Sequence, residues 1–224
     1  IGWNPDSFGY NWQLPQIYKR SGLDYFVTQK MSWNDTTKFP YKLFWWQSPD
    51  GSKVLACRPN PTFGEWWRGL MTRPFPDYDN YARHMKEKYD VRDCMAMIGS
   101  GDHGGGPTFT EVENLAQLER ESSSRIFFDT PSQYFESVLP QADDLPVVNR
   151  ELAFELVGDL TDLVEIRKRN REAENLLLTA EKFAVLAGIV AGHPYPKDIL
   201  TEAWRKVLFN QFHDVIGGSV SPSA

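Results

Sequence analysis

A change of hydrophobic period divides this chain. Between residues 25 and 138 short apolar runs alternate with helix-like stretches, whereas beyond residue 162 a single three-four spacing continues to about residue 191. Strands that alternate with helices predict a largely parallel sheet, and a sustained three-four spacing predicts a long helix. Leu14 to Arg20 reads as a short helix stopped at Gly22, followed by a strand over Tyr25-Phe26-Val27-Thr28. Phe44-Trp45-Trp46 and Lys53-Val54-Leu55-Ala56 flank Pro49-Asp50-Gly51, a hairpin signal. Asp77 to Tyr89 reads as a helix, Cys94-Met95-Ala96-Met97-Ile98 as a buried strand, and Arg125-Ile126-Phe127-Phe128 as another strand. Thr108 and Glu111 form a capping-box pattern opening a helix to about Glu121, and Pro131 to Val138 is a short helix. Gln141 to Asn149 is polar, contains Pro146 and has no period, so the boundary is placed there: an α/β region over 1–145 and a helical region over 146–224. In the latter, Leu163, Ile166, Ala173, Leu177, Ala180, Ala184 and Ala187 form a seam interrupted by Asn170. Gly192 and Pro194 end that helix, and a second runs from near Asp198 through Trp204, Val207, Leu208 and Gln211, with His213 at or just past its end.

The 224 residues are 41% hydrophobic, enough for a sizeable core. The 8 Trp, 9 Tyr and 14 Phe suit the C–H faces of sugar rings, and ordinary core packing accounts for them as well. A net charge of -6 argues against a nucleic-acid partner, which wants a basic face. No apolar run approaches the roughly 18 residues of a membrane span, and no signal peptide opens the chain. The chain starts at Ile1, already inside a motif, and reads as a piece of a longer protein. Cys57 and Cys94 are too few for a disulfide framework, which points to a reducing, cytoplasmic compartment.

Three loops have the composition of a site. The first is Trp3-Asn4-Pro5-Asp6-Ser7-Phe8-Gly9-Tyr10; the others are Gly99 to Thr108, with Asp102 and His103, and Asn210 to Ser219, with His213 and Asp214. By itself Asp6 is a turn residue, His213-Asp214 before Gly217-Gly218 is a helix stop, and His84 and His193 have no supporting context. Gly99 to Gly104 matches the G-x-G-x-x-G of dinucleotide sites. Against that, Asp102 would occupy the place of pyrophosphate charge, no basic residue is near, and the helix starts late. The alternative is that the glycines let a substrate approach while Asp102 projects into a cleft at a strand's C-terminal end.

The first loop, with Leu14-Pro15-Gln16-Ile17, Ser21-Gly22, Tyr25-Phe26-x-Thr28-Gln29-Lys30, Trp33-Asn34 and Phe39-Pro40-Tyr41, resembles the glycoside hydrolase family 38 α-mannosidases, closest to their bacterial and cytosolic branch. The Asp102 loop and Asn210-Gln211-Phe212-His213-Asp214 resemble two further blocks of that family in the same order. The resemblance implies a metal-dependent retaining exo-α-mannosidase acting on mannose-containing oligosaccharides. It implies the C-terminal part of a parallel β/α catalytic domain followed by a helical-bundle middle domain. By position, Asp6 resembles the nucleophile and a metal ligand, and His213 a second ligand. Asp102 resembles the general acid/base, and Phe8, Lys30 and Asp214 resemble residues that bind the sugar.

That chemistry is coherent. A retaining glycosidase needs two carboxyl groups about 5–5.5 Å apart, one ionised nucleophile and one proton donor. One divalent ion, with zinc as the expectation, would sit beside the nucleophile and chelate sugar hydroxyls. The family's first metal motif, His-x-Asp, and its β-rich C-terminal domains are absent, His103 stands where many relatives have Gly, and Val157 to Asp162 departs from the family pattern. The expectation is therefore an incomplete catalytic region, without a membrane partner and with room for a homo-oligomer in the full-length protein. Its rivals are a non-catalytic carbohydrate-binding fragment and a nucleotide-binding α/β enzyme.

Overall fold

The computed structural model describes residues 1–31, 36–59, 78–98, 106–154 and 162–218. The chain divides into two compact units, Ile1–Glu155 and Leu156–Ala224.

The first unit is built on a five-stranded sheet of β1 (Gly2–Trp3), β2 (Tyr25–Val27), β3 (Leu43–Gln47), β4 (Lys53–Cys57) and β5 (Val147–Val148), in the order β1-β2-β4-β3-β5. All neighbours are parallel except the β3–β4 hairpin. The hairpin closes because Asp50 accepts hydrogen bonds from the Ser48 hydroxyl (2.7 Å) and the Ser52 amide (3.0 Å), while Gly51 takes φ +87°. Alternation along the strands sends side chains to two covered faces. Phe26, Phe44, Trp46, Val54 and Ala56 pack with Tyr10, Tyr18 of helix α1 (Leu14–Arg20), Met31 and Leu152. Val27, Leu43, Leu55 and Cys57 pack with helices α2 (Tyr78–Tyr89) and α4 (Pro131–Val138). Between those two helices in sequence lies α3 (Phe109–Glu121), which opens with the expected reciprocal cap: the Glu111 amide donates to Thr108 Oγ1 (3.2 Å) and the Thr108 amide to Glu111 Oε2 (2.6 Å).

The expectation of a mixed α/β unit with a mostly parallel sheet holds. Two expected strands do not form: Cys94–Ile98 and Arg125–Phe128 have no ladder partner among the described residues. Met95 joins the core and Ile98 and Ile126 flank Leu115 and Leu118, but Phe127 and Phe128 are exposed. An apolar run signals burial, whereas a strand also needs a neighbour to take its backbone hydrogen bonds. Conversely β5, in a segment without periodicity, is drawn to the sheet edge by Trp45, whose amide donates to the Pro146 carbonyl (2.9 Å) and whose indole donates to Ala142 (2.8 Å).

Asp79 ties α2 to the end of α3, accepting from the amides of Ser124 (2.9 Å) and Ser123 (3.1 Å) and from the Ser122 hydroxyl (2.9 Å). The hydrogen bond from Ser124 above all, with those from Ser122 and Ser123, holds its carboxyl well below the usual carboxylate range despite the opposing effect of desolvation, which is second in size to Ser124. A carboxyl depressed in the folded state contributes stability above its unfolded value of about 3.9, and that contribution is lost as pH falls through the folded value. The difference in urea midpoint between the parent chain and Asp79→Ala is therefore expected to be largest near neutrality and to narrow as pH drops below about 4. An equal gap at every pH would assign the loss to packing instead.

In the second unit, α5 (Val164–Ala191) and α6 (Lys197–Phe209) run antiparallel, and α7 (His213–Ile216) follows. Gly192 ends α5 with φ +69°, its amide donating to Gly188 (3.1 Å). Asn170, the polar interruption of the seam, is buried and donates to the Val207 carbonyl (3.0 Å). The Trp204 indole donates to Glu181 (2.8 Å) further along the pair. No described helix is long and apolar enough to cross a membrane.

Candidate active site at the ends of the parallel strands

Strands β1, β2 and β4 run parallel and side by side, so the residues just after Trp3, Val27 and Cys57 lie together at their carboxyl ends. That edge is where ligands of parallel sheets bind. Asp6 follows β1, Lys30 follows β2, and Arg58 follows β4. The Asp6 turn is fixed by its backbone, with the Asn4 amide donating to Val27 (3.0 Å) and the Gln29 amide donating to Pro5 (3.1 Å). The Asn4 side-chain amide donates to the Tyr18 hydroxyl (2.7 Å). Gly2 sits beneath that ring, and a Cβ there would meet Tyr18 at 2.7 Å, so only glycine lets α1 pack this close to β1.

Lys30 Nζ donates to Asp6 Oδ1 at 2.5 Å. The lysine side chain is only 3% exposed, against 25% for the aspartate. A buried ammonium requires a partner, and here a partner is the more exposed Asp6 carboxylate. The same ammonium lies 5.2 Å from the centre of the Phe8 ring, a cation–π contact. Asp6, Phe8 and Lys30, three of the residues singled out in the sequence, thus form one cluster. It presents a half-buried carboxylate, an aromatic face and a fixed positive charge.

His213 and Asp214 belong to the second unit, at the start of α7, with Nε2 of the histidine 3.6 Å from Asp214 Oδ1. The Phe212 ring lies 4.4 Å from the imidazole, centre to centre. Behind them Arg167 Nη1 donates to the carbonyls of Ile216 (3.3 Å) and Gly217 (2.9 Å), a cation at a helix C-terminus. Asp102 and His103 lie outside the described residues.

Asp6 offers an oxygen donor and His213 a nitrogen donor, the types zinc takes. Among the described residues, however, no three His, Cys, Asp or Glu side chains group as a metal would require. The cation described beside Asp6 is the Lys30 ammonium. Burial pushes the Cys57 thiol up to about 12 and that of Cys94 up to about 11, which disfavours the thiolate of both at neutral pH.

Sequence reasoning passed over Tyr10 and Thr28 as site residues, although Tyr10 closes the first motif. The Tyr10 hydroxyl is buried against the turn, within 2.8 Å of the Asn4 carbonyl and 2.9 Å of the Ser7 carbonyl, and it also contacts Thr28 Oγ1. The only local signal was a tyrosine directly after a turn glycine.

Comparison with known proteins is consistent with this geometry. Residues 158–224 match the alpha mannosidase middle domain. Alpha-mannosidase 2C1 of Homo sapiens is 36% identical over 221 residues, covering 97% of this chain and 21% of the relative. Alpha-mannosidase G of Dictyostelium discoideum is 35% identical over 222 residues, 96% of this chain and 19% of the relative. Alpha-mannosidase of Saccharomyces cerevisiae is 31% identical, covering 98% of this chain and 21% of the relative. The chain spans about a fifth of the length of these curated relatives. Residues 1–151, which contain the Asp6 turn and all five strands, match the N-terminal domain of glycosyl hydrolases family 38, and the chain belongs to that family.

Proposed function

We propose that this chain is part of a retaining exo-α-mannosidase that removes terminal α-linked mannose from oligosaccharides. The observation that carries the reading is the Asp6–Lys30–Phe8 cluster at the carboxyl ends of three parallel strands. Asp6 acts as the nucleophile: its carboxylate attacks the anomeric carbon and forms a covalent glycosyl-enzyme, which water then hydrolyses. Asp102 gives its proton to the departing oxygen and takes one from the water in the second step. Phe8 offers its face to the sugar, and Lys30 holds the nucleophile's orientation from behind while adding positive charge for a hydroxyl. Asp214 binds sugar hydroxyls.

Metal dependence belongs to the same reading. Asp6 and His213 would each donate to one divalent ion, zinc by the nature of its donors, with further ligands from outside the described residues. Bound there, the ion would orient sugar hydroxyls and add positive charge near the reaction centre. The domain assignment is likewise part of the proposal: a catalytic α/β domain followed by a helical-bundle middle domain.

Titration calorimetry of the full-length protein separates this from its rivals. A mannose-configured iminosugar is expected to bind, and to lose most of its affinity in Asp6→Ala, while ADP and NAD release no heat. Nucleotide binding that depends on Gly101 would replace the reading with a phosphate site. Sugar binding that persists unchanged in Asp6→Ala would favour a carbohydrate-binding fragment.

A further inference from the structure

We infer that Tyr10 is a positioning residue for Asp6, acting through a one-way chain of hydrogen bonds that starts at the Lys30 amide. The inference rests on the reading of Asp6 as nucleophile.

The direction of the chain follows from counting protons. The Tyr10 hydroxyl touches the carbonyls of Asn4 (2.8 Å) and Ser7 (2.9 Å), which can only accept. Its single proton is therefore directed to them. Thr28 Oγ1, the third neighbour of the phenol oxygen, must then be the donor of that short contact. Thr28 Oγ1 in turn accepts from the Lys30 amide (3.2 Å). The order runs from the Lys30 N–H to Thr28, to Tyr10, to the carbonyls that bracket Asp6. Since the Lys30 ammonium holds the Asp6 carboxylate, the two ends of the chain meet and the arrangement closes on itself.

Tyr10 can act as a template because its own place does not depend on the turn. Its ring lies edge-on to Phe26 (5.0 Å between centres) and Trp46 (6.4 Å), and it is almost fully buried. Its backbone bridges Leu152 in both directions, donating at 3.2 Å and accepting at 3.0 Å. The hydroxyl is thus presented by the sheet core to a turn that would otherwise leave two inward carbonyls without this donor. A nucleophilic carboxylate is sensitive to such support, since displacement on the order of 1 Å costs on the order of a hundredfold in rate.

The test uses the full-length protein and an aryl α-mannoside with a good leaving group. Tyr10→Phe and Thr28→Val are each expected to lower kcat by roughly ten- to a hundredfold, with KM changed by no more than about twofold. The double variant should be no worse than either single one, because both break the same chain. Thr28→Ser keeps the hydroxyl and should restore turnover. Independently of activity, Tyr10→Phe should speed amide exchange of residues 6–8 and of Lys30 while Phe26 and Val27 stay protected. Unchanged exchange in the turn overturns the inference, as do losses in kcat that add in the double variant and follow thermal stability. Asp6→Asn separates the two layers: if it retains turnover the nucleophile reading fails, whereas a dead Asp6→Asn beside a fully active Tyr10→Phe sinks the positioning role alone.

Discussion

Asp6→Asn in the full-length protein is expected to abolish turnover of every α-mannoside, activated or not, because no glycosyl-enzyme can form without the carboxylate. Asp102→Asn should behave differently. A general acid contributes about 10²- to 10⁴-fold, and most of it where the leaving group is poor. An aryl mannoside with a low-pKa phenol leaves almost unaided, so its glycosylation step should suffer little, whereas an oligosaccharide should lose nearly all turnover. Azide should partly restore turnover of the aryl substrate, since this small nucleophile attacks the glycosyl-enzyme without a general base. Equal losses on good and poor leaving groups, with no azide effect, would falsify the acid/base role. His103→Ala is the natural control, as the neighbour that a one-residue shift in the glycine loop would implicate.

The largest structural effect is expected at Trp46. Its side chain is fully buried in the face that carries Tyr10 and Phe26, and its indole donates to the Arg150 carbonyl (2.9 Å). Trp46→Ala removes a large apolar side chain, a change that typically costs about 3–5 kcal/mol, and leaves a part-buried carbonyl without that donor. Against a native stability of about 5–15 kcal/mol this is enough to bring the first unit close to unfolding at ambient temperature. Trp3, 44% exposed, gives the comparison: Trp3→Ala should shift the urea midpoint only slightly. Trp46→Phe should fall between, keeping most of the packing and losing the donor. If Trp46→Ala and Trp3→Ala denature alike, the core is not organised as described.

Elements with local determinants were legible in the sequence. Thr108 and Glu111 announce the start of α3 because the cap is made within three residues, and Gly192 announces the end of α5 because its backbone angle suits glycine. The β3–β4 hairpin is legible for the same reason. Strand pairing is not local, which is why 94–98 and 125–128 read as strands and form none among the described residues, and why Val147–Val148 reads as nothing and pairs with β3. At the site, the motif marked Asp6, Phe8 and Lys30. The Tyr10–Thr28 contact joins residues 18 positions apart in sequence through hydroxyl groups alone, a relation that no period or composition encodes.

The bridge between Tyr10 and Leu152 has a consequence for biosynthesis. The turn bearing Asp6 leaves the ribosome well before Leu152, because the backbone that clamps its tyrosine is made at the far end of the same unit. At about 5–20 residues per second the wait is on the order of ten seconds. Throughout that interval the nascent turn has neither its clamp nor its completed sheet, so the Asp6–Lys30–Phe8 cluster is completed only at the end of translation of this unit. Substitutions that delay docking of the segment around Leu152 would then appear as poor yield of active protein, with normal specific activity in the molecules that finish.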